Sequence, residues 1–160
     1  MENKLKEYPR NSCQNRLHSG CIMCGIQNPL GLKLNFTKDN QGGVVGHFTP
    51  NQLLEGYSGI LHGGVVAALL DSAMTNCLFV HNITALTAEL NIKYLKPIPI
   101  KKEIIVKAKV SRSTSPLHNL EAQLLVDNQI MTRATALFME SFANKEDKMK
   151  PDFQSDHVRI

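Results

Sequence analysis

The sequence predicts an α+β domain in which a curved antiparallel β-sheet wraps around one long central helix. Three observations lead there. Residues Gly63 to about Phe79 hold no helix breaker after Gly64 and are apolar nearly all round, with Asp71 the one carboxylate among them. After this stretch a two-residue apolar alternation recurs in successive segments, and a shorter hairpin-like pair precedes it. One helix this apolar is hidden only by a sheet that curves around it.

The elements follow in order. Residues 1–28 are polar and aperiodic and read as a leader lying over the domain. Asn28-Pro29 is a turn signal, after which Leu30, Leu32, Leu34 and Phe36 alternate as a half-buried strand. Lys38 to Gly43 reads as a hairpin connection and Val44 to Phe48 as the returning strand. A loop or short helical turn over 49–56 leads to the helix. Leu90, Ile92 and Tyr94 then share one strand face, opposite Glu89, Asn91 and Lys93, until Pro97 and Pro99 stop the strand. Ile104 to Val110, Leu120 to Val126 and Ile130 to Phe138 give three more strands. The domain is thus expected over 29–141, with a charged tail over 142–160.

At 160 residues the chain suits one domain with a sizeable core, and 42% hydrophobic with 20% charged residues suits a globular protein. No unbroken apolar run of about 18 residues occurs, so no membrane span is expected. Residues 1–10 lack the apolar centre of a signal peptide, and the expected address is cytoplasmic. The net charge of +4 is scattered, with Lys101-Lys102 the only adjacent basic pair, so no nucleic-acid partner is expected. Cys13, Cys21, Cys24 and Cys77 are expected as reduced thiols. Cys21-x-x-Cys24 has Cys13 and His18 near it, but zinc sites usually show two paired ligand sets. The expectation is a packed cysteine cluster and no metal. Cys77 is expected in the core, and His81 at the negative end of the helix dipole.

Chemistry is concentrated in Gly56-Tyr57-Ser-Gly-Ile-Leu-His62-Gly63-Gly64 and the helix that follows. An unpaired charge inside a protein costs several kcal/mol, so Asp71 calls for a partner, a route to solvent, or a catalytic use. A helix N-terminus offers unpaired N–H groups and the positive end of a dipole, and glycine there lets a carbonyl approach closely.

Leu61-His62-Gly63-Gly64-x-x-Ala67-x-Leu69-x-Asp71 resembles the hot-dog-fold acyl-CoA thioesterases, in the branch of the phenylacetate-pathway enzymes and the animal thioesterase superfamily members. Two further segments carry the likeness in the right order: Cys24-Gly25-x-x-Asn28-Pro29-x-Gly31-Leu32 and Thr87-Ala-Glu-Leu-Asn-Ile-Lys-Tyr-Leu-Lys-Pro97. The resemblance implies hydrolysis of an acyl-CoA thioester, with no cofactor beyond the coenzyme A of the substrate. It implies Asp71 as nucleophile or water-activating base, the Gly63 N–H as oxyanion donor, Thr87 as orienter of the attacking water, and His62 just before the oxyanion site. Relatives carry a polar side chain where Gly56 stands here, so that group is missing or supplied elsewhere, by Glu55 or Asn51. Gly56, Tyr57, Gly64 and Met74 are the implied substrate-binding positions near the acyl group, with Ile60 and Phe79 as further apolar lining. Lys96, Arg112 and His118 are candidates for the nucleotide phosphates. The apolar lining points to an aryl or medium-length acyl chain. The alternative is a non-catalytic hot-dog protein that binds acyl-CoA.

Spacing adds a constraint of its own. Gly63 and Asp71 are eight residues apart, roughly 12 Å along an α-helix. They cannot both reach one carbonyl from the same helix, so a shared site requires a homodimer, with a dimer of dimers (a homotetramer) also open. His62 and Asp71 lie about 180° apart around the helix, which argues against the acid–histidine dyad of hot-dog dehydratases.

Overall fold

The computed structural model describes residues 18–140. The chain forms one long helix, α1 (Gly63–Val80), and six strands: β1 (Phe36–Lys38), β2 (Val44–Phe48), β3 (Ala85–Tyr94), β4 (Ile104–Thr114), β5 (Leu117–Val126) and β6 (Gln129–Glu140). All neighbouring strands are antiparallel, in the order β1-β2-β4-β5-β6-β3. This is the hot-dog architecture expected from the sequence.

Alternation along the strands builds the core. Val106, Ala108, Leu120, Ala122, Leu124, Ala134, Ala136 and Phe138 point inward and join Leu69, Leu70, Ala73, Met74, Cys77 and Leu78 of α1 in one cluster. Each fully buried Leu contributes roughly 1.5–3 kcal/mol, and the alanines on the sheet let the helix backbone come close. By length and composition α1 is apolar enough to cross a membrane, yet 61% of it is buried inside this fold. It is the core helix. Residues 72–79 are buried without exception, whereas His62, Gly63 and Gly64 are exposed and Asp71 is half-buried.

Two departures from the expected elements stand out. The alternation from Leu30 does not make a strand until Phe36, and Leu30 is 81% exposed. The backbone N–H groups of Leu32 and Leu34 donate instead to the carbonyls of Ile22 and Met23, so this segment folds back on the preceding turn. Met23 and Cys24 thereby enter the core, and the packing reaches into the stretch read as a leader. Cys13 and residues 142–160 lie outside the described residues.

The second departure is a set of three register shifts, one of them between Leu124 and Leu125 on β5, and the other two place polar side chains. These two occur between Thr87 and Glu89 on β3 and between Val110 and Arg112 on β4. A bulge adds one residue and flips the phase of inward-pointing side chains. Beyond these points Thr87 and Ser113 therefore face the helix side, opposite Phe138 and His118 respectively.

Candidate active site

The helix entry is built by His62. Its Nδ1 accepts from the Gly64 N–H at 2.9 Å, capping α1. The ring therefore serves the helix entry as an acceptor through Nδ1. With Gly64 occupied, and the Val65 and Val66 N–H groups donating to the His62 carbonyl, the N–H of Gly63 has no acceptor among the described residues. The Tyr94 hydroxyl donates to the Gly63 carbonyl at 3.0 Å and fixes that peptide from the β3 side. Gly56 packs under this entry. A Cβ there would meet the His62 Cα and Cδ2 at 3.2 Å, so a larger residue must push against the cap itself.

Asp71 lies two turns along the same helix. Thr87 Oγ1 donates to its Oδ1 at 2.6 Å, which explains how a half-buried carboxylate is held. Oδ2 has no partner among the described residues. The β3 bulge makes this contact possible, because without the phase flip Thr87 would point away from α1. Thr87 thus touches the carboxylate itself. His18 is also close: burial lowers its pKa, and the Asp71 charge opposes that shift.

The structure brings His62, Gly63, Gly64, Gly56 and the 83% exposed Tyr57 to one end of α1, with Asp71 and Thr87 further along it. Lys96 is exposed just beyond β3, its N–H donating to the Met131 carbonyl, on the side of Tyr94. Arg112 is exposed at the other end of the sheet.

Three expected substrate contacts are corrected. Met74 is 0% exposed within the core cluster, because it sits on the helix stripe that meets the sheet. His118 is 1% exposed, with Nε2 2.9 Å from Glu140 Oε1 and Nδ1 2.8 Å from Ser113 Oγ. A buried imidazole against a carboxylate is no phosphate site. Phe79, 4% exposed, stacks edge-on against the His18 ring rather than lining an open pocket. Tyr94 was missed as a site residue, although a tyrosine closing an inward-facing alternation is placed to carry its hydroxyl past the core.

Residues 58–129 match the family model of the thioesterase superfamily. Over this stretch, less than half of the chain, the sequence is similar to that superfamily, and the fold is the hot-dog fold. The mouse protein named acyl-coenzyme A thioesterase THEM4 is 32% identical over 89 residues, which are 54% of this chain and 38% of that protein. The chain spans less than half the length of the curated relatives it matches. Among solved structures, zebrafish thioesterase superfamily member 2 superposes with a TM-score of 0.66 at 18% identity, covering 78% of this chain and 91% of that one. A Streptococcus mutans protein bound to acetyl CoA superposes with a TM-score of 0.63 at 16% identity, over 68% and 88% of the two chains. At such identities the structural matches speak for the fold.

Proposed function

We propose that this hot-dog chain belongs to the thioesterase superfamily and hydrolyses acyl-CoA thioesters at a site shared by two copies. The observation that carries the reading is the pairing of an acceptor-free Gly63 N–H with a threonine-held Asp71 on one helix. The names of the mouse relative and of the acetyl-CoA-bound structure support the substrate class.

The exposed edge of β3 supplies the route to a shared site. Ten residues long, β3 pairs only with β6 among the described strands, and it carries Leu86 and Tyr94 at 68% and 54% exposure. An edge of this length is a template for a second strand. If two copies pair antiparallel about Asn91, with Ala88 bulged out of the ladder, Thr87 of each falls opposite Tyr94 of the other. Thr87 holds Asp71 and Tyr94 holds Gly63. Each carboxylate then lies beside the partner's helix start, which two positions about 12 Å apart on one helix cannot achieve.

In this site the thioester carbonyl oxygen accepts from the Gly63 N–H, at the positive end of the helix dipole. Asp71 takes a proton from water through Oδ2, while Thr87 keeps Oδ1 in place. Water oxygen bonds to the carbonyl carbon, the negative charge collects on the former carbonyl oxygen, and the C–S bond breaks as the carbonyl reforms. Coenzyme A leaves as the thiolate and takes up the proton; the acid is released. Lys96, Arg112 and Tyr57 are the exposed groups assigned to the nucleotide and acyl ends. The location of the reaction is proposed as cytoplasmic.

Mixing two inactive variants tests the whole reading. Gly63→Pro deletes only the N–H, at the first helical position where proline is well tolerated, and the extended φ −61°, ψ 133° of His62 suits a following proline. Asp71→Asn deletes the base. Each variant alone is expected to release no thiol from acyl-CoA. Equimolar co-refolding is expected to restore about a quarter of wild-type turnover, because half of the dimers regain one intact site. No restoration, or a strictly monomeric wild type, overturns the shared site. Acyl-CoA binding without turnover in the wild type selects the non-catalytic binder.

A further inference from the structure

The segment preceding β1 carries a cluster that thioester hydrolysis does not use. His18, Cys21 and Cys24 each offer one ligand atom, and these atoms lie within 4.8 Å of one another. We propose that these three side chains bind a zinc(II) ion.

The geometry fits the ion. Zinc holds thiolate sulfur at about 2.3 Å and imidazole nitrogen at about 2.0–2.1 Å, which at tetrahedral angles separates the two donors by about 3.6 Å. Cys24 Sγ and His18 Nδ1 are 3.7 Å apart. Two thiolates with one imidazole suit zinc better than magnesium or calcium, which prefer oxygen, or an iron–sulfur cluster, which takes more cysteines.

The scaffold around the donors is built for this. Cys21-Ile-Met-Cys24-Gly25 forms a tight knuckle in which the Gly25 N–H donates to the Cys21 carbonyl at 2.8 Å and the Cys21 N–H to the His18 carbonyl at 3.1 Å. A Cβ on Gly25 would lie 2.4–2.6 Å from backbone atoms of Cys21 and Ser19, so only glycine closes the knuckle. Lys33 Nζ ties the next turn by donating to the carbonyls of Gly25, Ile26 and Asn28.

Both sulfurs also receive donors. The Met23 N–H points at Cys21 Sγ at 3.4 Å, and Asn76 Nδ2 at Cys24 Sγ at 3.8 Å. Such outer-sphere donors stabilise the negative sulfur of a bound thiolate. The Phe79 ring, 4.8 Å away centroid to centroid, fixes the plane of His18. Asn76 and Phe79 belong to α1, so the ion would staple the knuckle to the helix that carries Asp71. The sequence expectation of a metal-free cluster rested on the lack of a second paired ligand set. Folding supplies His18 in its place.

The test uses the full chain. Purified from zinc-supplemented medium, it is expected to carry about one zinc per chain by elemental analysis. Chelation is expected to lower its melting temperature, and zinc to restore it. Cobalt(II) added to the reduced, metal-free chain is expected to give tetrahedral d–d bands and a sulfur-to-cobalt charge-transfer band, with no variant needed. Cys21→Ser and Cys24→Ser are expected to lose both metal and band, while Cys77→Ser keeps them. Absence of saturable zinc or cobalt binding by the reduced chain overturns the proposal. So does metal retained by the Cys21→Ser/Cys24→Ser double variant, or a Cys21–Cys24 disulfide in a chain that stays metal-free after reduction.

Discussion

The two halves of α1 are made of similar residues and do different work. From Ser72 to Phe79 each side chain is buried, and the sheet of the same chain supplies the burial. From His62 to Asp71 the chain adds to the buried Val66, Leu69 and Leu70 two exposed glycines, an N–H without an acceptor among the described residues and a half-buried carboxylate. The Ser72–Phe79 half finds its partners within the chain. In the half that opens the helix, the Gly63 N–H and Asp71 Oδ2 have no partner among the described residues. Stability and chemistry are therefore separable by position along one helix, and substitutions at Asp71 and at Met74 should divide between them.

Asp71→Asn makes the sharpest cut. It keeps shape and the acceptor for Thr87 while removing the proposed base, and turnover of acyl-CoA is expected to fall about a thousandfold, or about 4 kcal/mol of barrier. The melting temperature should stay put. Thiol release within tenfold of wild type would break the division, leaving Asp71 as a structural acid.

Met74→Ala, three residues on, should do the reverse. Emptying a 0% exposed core position costs about 2–5 kcal/mol of folding stability, read from the urea midpoint. KM across acyl chain lengths should hold. A changed chain-length preference with unchanged stability would put Met74 back at the acyl group, where the sequence reading had it.

That misplacement shows what a sequence hides. The alternations of Val106 and Ala108, Leu120 to Leu124 and Ala134 to Phe138 made the sheet legible, because one buried face imposes a period of two. The helix was legible from its unbroken apolar length. The orientation of Met74 was not, since a helix apolar on all sides gives no stripe to assign. The bulges were not legible either. They follow from how β3 and β4 meet their neighbours, and they decide that Thr87 reaches Asp71 and that Ser113 reaches His118. His118 looked like a strand-end cation, yet its partner Glu140 is 22 residues away in the chain. The His62-Gly63-Gly64 entry could be read, but not the direction of its hydrogen bond.

Thr87→Val sharpens the comparison on the chemical side. Loss of the 2.6 Å bond frees Asp71 from its productive position, and kcat is expected to drop about tenfold to a hundredfold, 1–3 kcal/mol, with KM little changed. Thr87→Ser should restore most of it. Tyr94→Phe removes the 3.0 Å bond to the Gly63 carbonyl and should cost about 1 kcal/mol in kcat/KM, with little effect on the melting temperature. An effect of Thr87→Val on stability alone would make the contact a fold element.

The smallest expected effect belongs to the buried half and appears only at high pH. Burial pushes the Cys77 thiol up to about 11 from its ordinary 9.0, against a hydrogen bond with the Val110 backbone that pulls it down. The unfolded chain therefore gives up this proton first as pH rises. The stability contributed by keeping the thiol neutral is full below about pH 9 and fades as pH rises toward about 11. Urea midpoints across that window should fall more steeply for wild type than for Cys77→Ala, whose overall stability is lower but carries less of this slope. Equal slopes would mean that the Cys77 proton is not held by the core, and that the buried half of α1 opens to solvent before the chain unfolds.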